Sequence, residues 1–226
     1  MEGKKEEEKT CKFIESNIKY KGKYLSFIEN DYEITDNEKK TKVTWESVQY
    51  NNNIASSKIK FGVSIFPIIK NTNKLVIISN FRYAVNKYCL EFPSGLIDNT
   101  DNENDIEKTI IKAAERELKE ETGYEGTFKS FMTLDNIKDP IKVLSNIYYD
   151  PWKSNDASVI CIFELKEKLK QNLEDCEIIK VYEVEIDKLY EFINNKVNNE
   201  NFACSADLYS FAFGIQFKSI LNKYNI

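Results

Sequence analysis

The chain has 226 residues, 42% hydrophobic and 13% aromatic, enough to bury one sizeable core. Its formal net charge of -5 excludes a broad basic field, so neither nucleic acid nor an anionic membrane is expected as a partner. It contains no histidine, which excludes Ser-His and Cys-His couples, His-ligated zinc and an imidazole base.

Residues 1–10 read as a charged, disordered tail. Extended segments are expected between Lys12 and about Tyr50, at 24–28 and 42–48, with the polar stretch 35–40 as a hairpin turn. A polar gap at 51–53 follows. Short β-branched or aromatic runs at 60–66, 74–79 and 88–92 read as strands, the third ended by Pro93-Ser94-Gly95. After a polar loop at 99–104, Asn104 and Glu107 have the spacing of a capping box. The apolar positions Ile106, Ile110, Ala113/Ala114 and Leu118 then carry a helix to Glu121, and Gly123 sits where a left-handed residue would stop it. Strands at 127–134, 158–165 and 178–184 come next, with 166–175 as a charged loop, and helices at 187–197 and 205–224 close the chain. Strands around one central helix, with more helices at the end, describe a mixed α+β or α/β/α domain. The expected organisation is a tail at 1–10, a β-rich region at 11–55 and the main domain at 56–226.

Five cysteines, Cys11, Cys89, Cys161, Cys176 and Cys204, are scattered and never form a C-x-x-C pair. They suit a reducing compartment and argue against a disulfide framework or a thiolate zinc site. The charged start MEGKKEEEKT and the lack of an apolar run near ~18–20 residues lead to a cytoplasmic expectation, with the nucleus as alternative.

The most informative stretch is Arg116-Glu117-Leu118-Lys119-Glu120-Glu121-Thr122-Gly123-Tyr124. Its carboxylates are spaced to share one helix face, where uncompensated like charges cost roughly 0.2–0.5 kcal/mol per pair. A hard divalent cation converts that repulsion into a set of oxygen ligands. Metal plus phosphate is the chemistry this pattern suggests.

The string RELKEETGY, led by EFPSGLID, resembles the Nudix box, G-x5-E-x7-R-E-U-x-E-E-x-G-U with U aliphatic or aromatic. Three features are similar to the ADP-sugar (ADP-ribose) pyrophosphatase branch. They are Thr44-Trp45-Glu46-Ser47-Val48, Phe81-Arg82 upstream of Leu90-Glu91-Phe92-Pro93, and the helix with Tyr209-Ser210-Phe211-Ala212. The resemblance implies an α/β/α sandwich with a mixed β-sheet and an N-terminal β-rich extension. One departure concerns spacing. Asp101 stands where the family has Glu, but 14 residues separate it from Arg116 where the box has seven. Counting back from Arg116 instead reaches Lys108, with Glu107 beside it, so Asp101 and Glu107 both remain open for that place.

By position, the resemblance makes Glu117 and Glu121 the main metal ligands, Glu120 a secondary one and the Ser94 carbonyl a further one. The metal is Mg²⁺, with Mn²⁺ as alternative. Arg116 would brace the carboxylates. With imidazole absent, the general base is a carboxylate on the loop before a late strand. Glu177 is nominated, with Glu174 and Asp175 as competitors, and Glu121 counts as catalytic beside it. For substrate, the resemblance assigns Trp45 and Tyr24 to stacking on adenine and Glu46 to its amino group. It assigns Arg82 to phosphate and Asp150 to the terminal ribose, while Tyr50 replaces a family arginine. It further implies a homodimer in which the N-terminal strands cross to the partner. The expected activity is Mg²⁺-dependent hydrolysis of ADP-ribose, or a related nucleoside diphosphate sugar, to AMP and sugar phosphate. Hydrolysis of oxidised nucleoside diphosphates is one alternative, and a catalytically silent ADP-ribose-binding module the other.

Overall fold

The computed structural model describes residues 9–36, 39–51, 61–98, 101, 103, 105–133 and 139–224. Most of the expected tail (1–8), the tip of the hairpin turn (37 and 38), the loop positions 99, 100, 102 and 104, and residues 52–60 lie outside the described part.

Three long strands open the chain: β1 (Thr10–Lys21), β2 (Leu25–Asp36) and β3 (Lys39–Tyr50), paired antiparallel in the order β1-β2-β3. The pairing register explains why this sheet is two-faced. Phe13, Tyr32 and Val43 align across one face, as do Ile18, Ile28 and Ser47. The other face carries ion pairs, Lys19–Glu29 at 2.7 Å, Lys42–Asp31 at 2.7 Å and Lys40–Glu33 at 2.8 Å. Two register shifts in β1, between Phe13 and Glu15 and between Ile18 and Tyr20, break its alternation. Every residue of β1 is exposed, and it begins at Thr10, inside the stretch expected to be tail.

The main domain is built on an eight-stranded mixed sheet. Its strands are β4 (Gly62–Ile69), β5 (Lys74–Arg82), β6 (Lys87–Glu91), β7 (Ser94–Leu96), β8 (Tyr124–Phe131), β9 (Ser158–Lys168), β10 (Ile179–Glu185) and β11 (Ala203–Cys204). The main path runs β11-β6-β5-β4-β9-β8, with β10 against β5 and β7 against β4; β4–β9 and β11–β6 are parallel. The strands β4, β5 and β9 are apolar on both faces, as a sheet covered on both sides requires.

Helix α1 (Ile106–Thr122) covers one face, placing Ile110, Ala113, Ala114 and Leu118 among Val63, Ile65, Val76 and Phe163. Helices α3 (Leu189–Glu200) and α4 (Ala206–Tyr224) cover the other, where Leu189, Ile193, Leu208 and Ala212 meet Phe66, Leu75, Ile77 and Leu90. A short helix, α2 (Pro140–Leu144), lies between β8 and β9. The architecture is thus an α/β/α sandwich with a mixed sheet and an N-terminal β-rich extension. Among the described residues, no helix is long and apolar enough to cross a membrane.

The ends of α1 set the site's register. Its N-cap is Asp105, whose carboxylate accepts the N–H groups of Glu107 and Lys108, one residue beyond the expected Asn104. Gly123 ends it at φ 75° with its N–H on the Lys119 carbonyl. A side chain at Gly123 would also collide with the carbonyl of Leu169, so this stop needs glycine twice over.

Candidate active site

The carboxylates of α1 face strand β7 and the turn that leads into it. Glu121 is 2% exposed, and its Oε2 accepts the Ser94 N–H at 2.8 Å. Burial raises its pKa well above the usual carboxylate range, and the charges of Glu117 and Glu177 push the same way. Glu117 lies one turn earlier, and burial lifts it to about 7 against the pull of Arg116. The approach of Glu117 to the backbone is so close that a Cβ on Gly95 would overlap its carboxylate. A side chain at Gly95 would therefore displace the Glu117 carboxylate, and this contact, not the φ of Gly95, is what favours glycine here. The strand pairing continues the fit, since Gly95 lies opposite Val63 and a Cβ on Gly62 would come within 2.7 Å of the Gly95 carbonyl.

Arg116 organises the outer part of this face. It donates to both carboxylate oxygens of Asp101 (3.0 and 2.9 Å), to Glu117 (2.8 Å), to Glu120 (3.0 Å) and to the Leu96 carbonyl (2.9 Å). Burial would lower its pKa, but Asp101 and Glu117 outweigh that and keep the guanidinium charged. Asp101 is 1% exposed and also accepts the Asp98 N–H at 2.9 Å. Of the two positions open at the departure in the box, Asp101 is the one paired with Arg116. Glu107 sits in the first turn of α1, exposed. The fourteen-residue count hides this pairing from a linear reading, because the chain returns to Arg116 after the extra length.

Glu177 approaches from the loop before β10, near enough for its charge to act on both Glu117 and Glu121. Its side chain accepts the Glu174 N–H at 2.9 Å, and Tyr83 Oη donates to the Cys176 carbonyl at 3.3 Å. Asn80 Oδ1 accepts the Ile178 N–H at 3.4 Å. Of the three acids weighed as base, Glu177 is the one whose charge acts on the α1 carboxylates; Glu174 and Asp175 are exposed.

Among the described residues, no three acidic or thiol side chains close around a single point. Arg116 draws Glu120 outward, and the Ser94 N–H fixes Glu121. The donor set nonetheless fits Mg²⁺, which usually takes one or two carboxylates and completes its shell with water and substrate phosphate. A buried and a half-buried carboxylate that repel each other beside a peptide turn are a donor set that a hard cation relieves.

The substrate candidates divide into two groups. Arg82 stands on the carboxylate side, where Glu121's charge reaches it, but its guanidinium is held by Glu91 through three contacts of 2.5–3.0 Å. Tyr50, raised by burial and by Asp156, lies within reach of the Arg82 charge. Tyr24 is on the turn before β2, 56% exposed, with Lys23 4.7 Å over its ring. Asn51, in sequence only part of a polar gap, is buried and builds this turn: its side chain donates to the Gly22 and Lys23 carbonyls and its backbone N–H to the Tyr24 carbonyl.

Trp45, Glu46 and Asp150 form the second group. Trp45 and Glu46 line a groove of about 780 Å³ with Phe27, Trp152 and Lys153. Asp150 pairs with Lys153 at 2.6 Å on its margin. Five residues of strand, roughly 17 Å at 3.4 Å per residue, separate Trp45 from Tyr50. The groove is therefore offset from the carboxylates of its own chain.

Comparison with known proteins agrees with this layout. The NUDIX domain family matches residues 58–204, well over half of the chain. The ADP-sugar pyrophosphatase of Mus musculus is 34% identical over 108 residues, covering 46% of this chain and 44% of that one. The ADP-ribose pyrophosphatase of Saccharomyces cerevisiae is 30% identical over 164 residues, covering 68% and 62%. The chain thus spans less than two thirds of the length of either relative. A crystal structure of an ADP compounds hydrolase superposes with a TM-score of 0.59 over 96% of this chain and 97% of that one, at 17% identity, which speaks for a common fold.

Proposed function

The chain belongs to the NUDIX domain family, and from that premise we propose that it hydrolyses ADP-ribose or a related ADP-sugar to AMP and a sugar phosphate, with Mg²⁺. The observation that carries this reading is the pair of carboxylates one turn apart on α1, Glu121 buried and Glu117 half-buried, with Glu177 facing them from another element. Glu117, Glu121 and the Ser94 carbonyl would hold the cation, and Glu120 would join when Arg116 releases it. When bound, the cation neutralises the diphosphate and polarises its P–O bonds. Glu177 takes the proton of the attacking water through its carboxylate. Arg82 turns its guanidinium from Glu91 to the phosphate oxygens, a match of fork to anion. Trp45 stacks on the base, Glu46 accepts from an exocyclic amino group, and Asp150 accepts from a sugar hydroxyl.

The offset between groove and carboxylates supports a homodimer, in which Trp45 of one protomer serves the diphosphate site of its partner beside Tyr24. The N-terminal sheet has the surface for it, since Phe13 (52% exposed) and Ile18 (58%) leave its apolar side uncovered. Phe13→Glu should shift the chain to monomer in sedimentation while Glu117 and Glu121 stay in place.

A substrate panel with Mg²⁺ and product identification tests the activity. AMP and ribose phosphate from ADP-ribose is the expected result. Faster cleavage of oxidised nucleoside diphosphates would replace it with the sanitising alternative. Tight ADP-ribose binding with no AMP released would replace it with the silent module.

A further inference from the structure

Gln171 takes no part in the assignment above, and in sequence it belongs only to a charged loop. In the structure it closes the end of the helix that carries the carboxylates. The last carbonyls of an α-helix have no partner within the helix and need donors from elsewhere. At the end of α1 one short run of chain supplies them. The Gln171 side-chain amide donates to the Glu121 carbonyl at 2.5 Å, the Asn172 N–H to the Glu120 carbonyl at 3.0 Å and the Leu169 N–H to the Gly123 carbonyl at 2.6 Å. A Cβ on Gly123 would come within 2.4 Å of the Leu169 carbonyl and 3.2 Å of the Gln171 backbone nitrogen, so the run lies flat against the helix end. The same loop goes on to present Glu177. There the Glu174 N–H donates to the Glu177 carboxylate at 2.9 Å and the Glu177 N–H to the Glu174 carbonyl at 3.0 Å, closing a turn. Its far end is tied near the end of β5, by Asn80 at 3.4 Å and Tyr83 at 3.3 Å. Those bonds are long, and the ties to α1 are the shorter ones.

We infer that Gln171 is a positioning residue: by fastening 169–172 to the carbonyl end of α1, it sets where Glu177 stands relative to Glu117 and Glu121. The inference deepens the proposed activity and rests on it for Glu177 as base. Gln171 caps the carbonyl of Glu121, the residue whose side chain holds the Ser94 N–H, so a single residue joins helix, peptide turn and base loop. Among the three ties to α1, that of Gln171 is the one made by a side chain, and substitution removes it while the backbone pair remains. Misplacing a catalytic group by ~1 Å costs about 10²-fold in rate. A neutral hydrogen bond at a half-buried side chain adds only modest stability. A large loss of rate with a small loss of stability is therefore the mark of this role.

Gln171→Met keeps the length of the side chain and removes the donor. It should lower kcat for ADP-ribose by about 10- to 100-fold with KM within about 2-fold. The melting temperature should fall by no more than about 4 °C. Gln171→Lys restores a donor at that reach and should recover most of the rate. Amide hydrogen exchange gives a reading free of turnover: residues 169–178 should exchange faster in Gln171→Met, and α1 at the unaltered rate. The decisive arm is the double variant, since a residue that acts through Glu177 adds no further loss to Glu177→Gln. Losses that multiply in the double variant overturn the proposal, as does unchanged exchange in the loop. Near-normal turnover in Glu177→Gln would remove Glu177 as base, and the positioning role with it. If the loop exchanges faster in Gln171→Met but no ADP-sugar is cleaved, the tie stands and the activity reading falls.

Discussion

The carboxylate site and the N-terminal sheet are made by opposite means. Around Glu117 and Glu121 every constraint is internal, with a buried carboxylate on a peptide N–H, a glycine that leaves room and a guanidinium anchored by Asp101. In the N-terminal sheet Ile28 is the one buried hydrophobic side chain among the described residues, and order comes from ladder hydrogen bonds and from ion pairs that are largely exposed, such as Lys19–Glu29 and Lys40–Glu33. Exposed pairs contribute little, about 0–1 kcal/mol each. The first region can hold its geometry alone. The second depends on what it docks against, namely the 150–154 turn and, in our reading, a second protomer.

The sharpest way to break the comparison is at Glu121. Glu121→Gln should lower turnover by about 10³-fold or more, since several kcal/mol of charge stabilisation would vanish. Its melting temperature should hold or rise, because Gln still accepts the Ser94 N–H without burying a charge. Near-normal turnover would remove the proposed metal site. Gly95→Ala comes next. Its new methyl displaces the Glu117 carboxylate, so turnover should drop by about 10²-fold, with roughly 1–3 kcal/mol lost in denaturant unfolding. Asp101→Ala leaves Arg116 short of its fork and should cost about 3 kcal/mol in the same measurement.

A further test concerns pH. Glu117's folded pKa, about 7, lies above its ordinary 4.5, so the folded protein holds its proton more tightly than the unfolded chain. Stability without metal should therefore decline as pH rises from about 4.5 to 7, by on the order of 2–3 kcal/mol. Mg²⁺ should reverse the trend, because a cation favours the charged form. A metal-free melting curve that improves across that window would contradict the electrostatics of the site. The buried acid of the N-terminal sheet, Asp31, is shifted the other way, its pKa lowered by the hydrogen bonds of Lys42 and Thr44, so truncating the sheet should leave the slope across that window unchanged.

What the sequence disclosed follows the same division. Helix α1 was legible because its apolar period, its acidic face and Gly123 agree with one another. Its start was misplaced by one residue because Asn104 and Asp105 are both good caps, and only the geometry chooses between them. Strand β1 escaped notice because two bulges and exposure on both faces erase the alternation that would reveal it. Strand β11 has two residues and no pattern to read. The Asp101–Arg116 pairing was blurred by length, and the role of Asn51 by its look of loop filler.

The bond between Asp101 and Arg116 has a consequence for how this protein could change. It ties the chain to the helix before the surplus residues begin, so whatever length follows Asp101 is paid out away from the chemistry. A guest peptide spliced between 101 and 105 should leave turnover intact, where the same splice at 95 would abolish it. The loop is a place where novelty can be tried while the reaction keeps running.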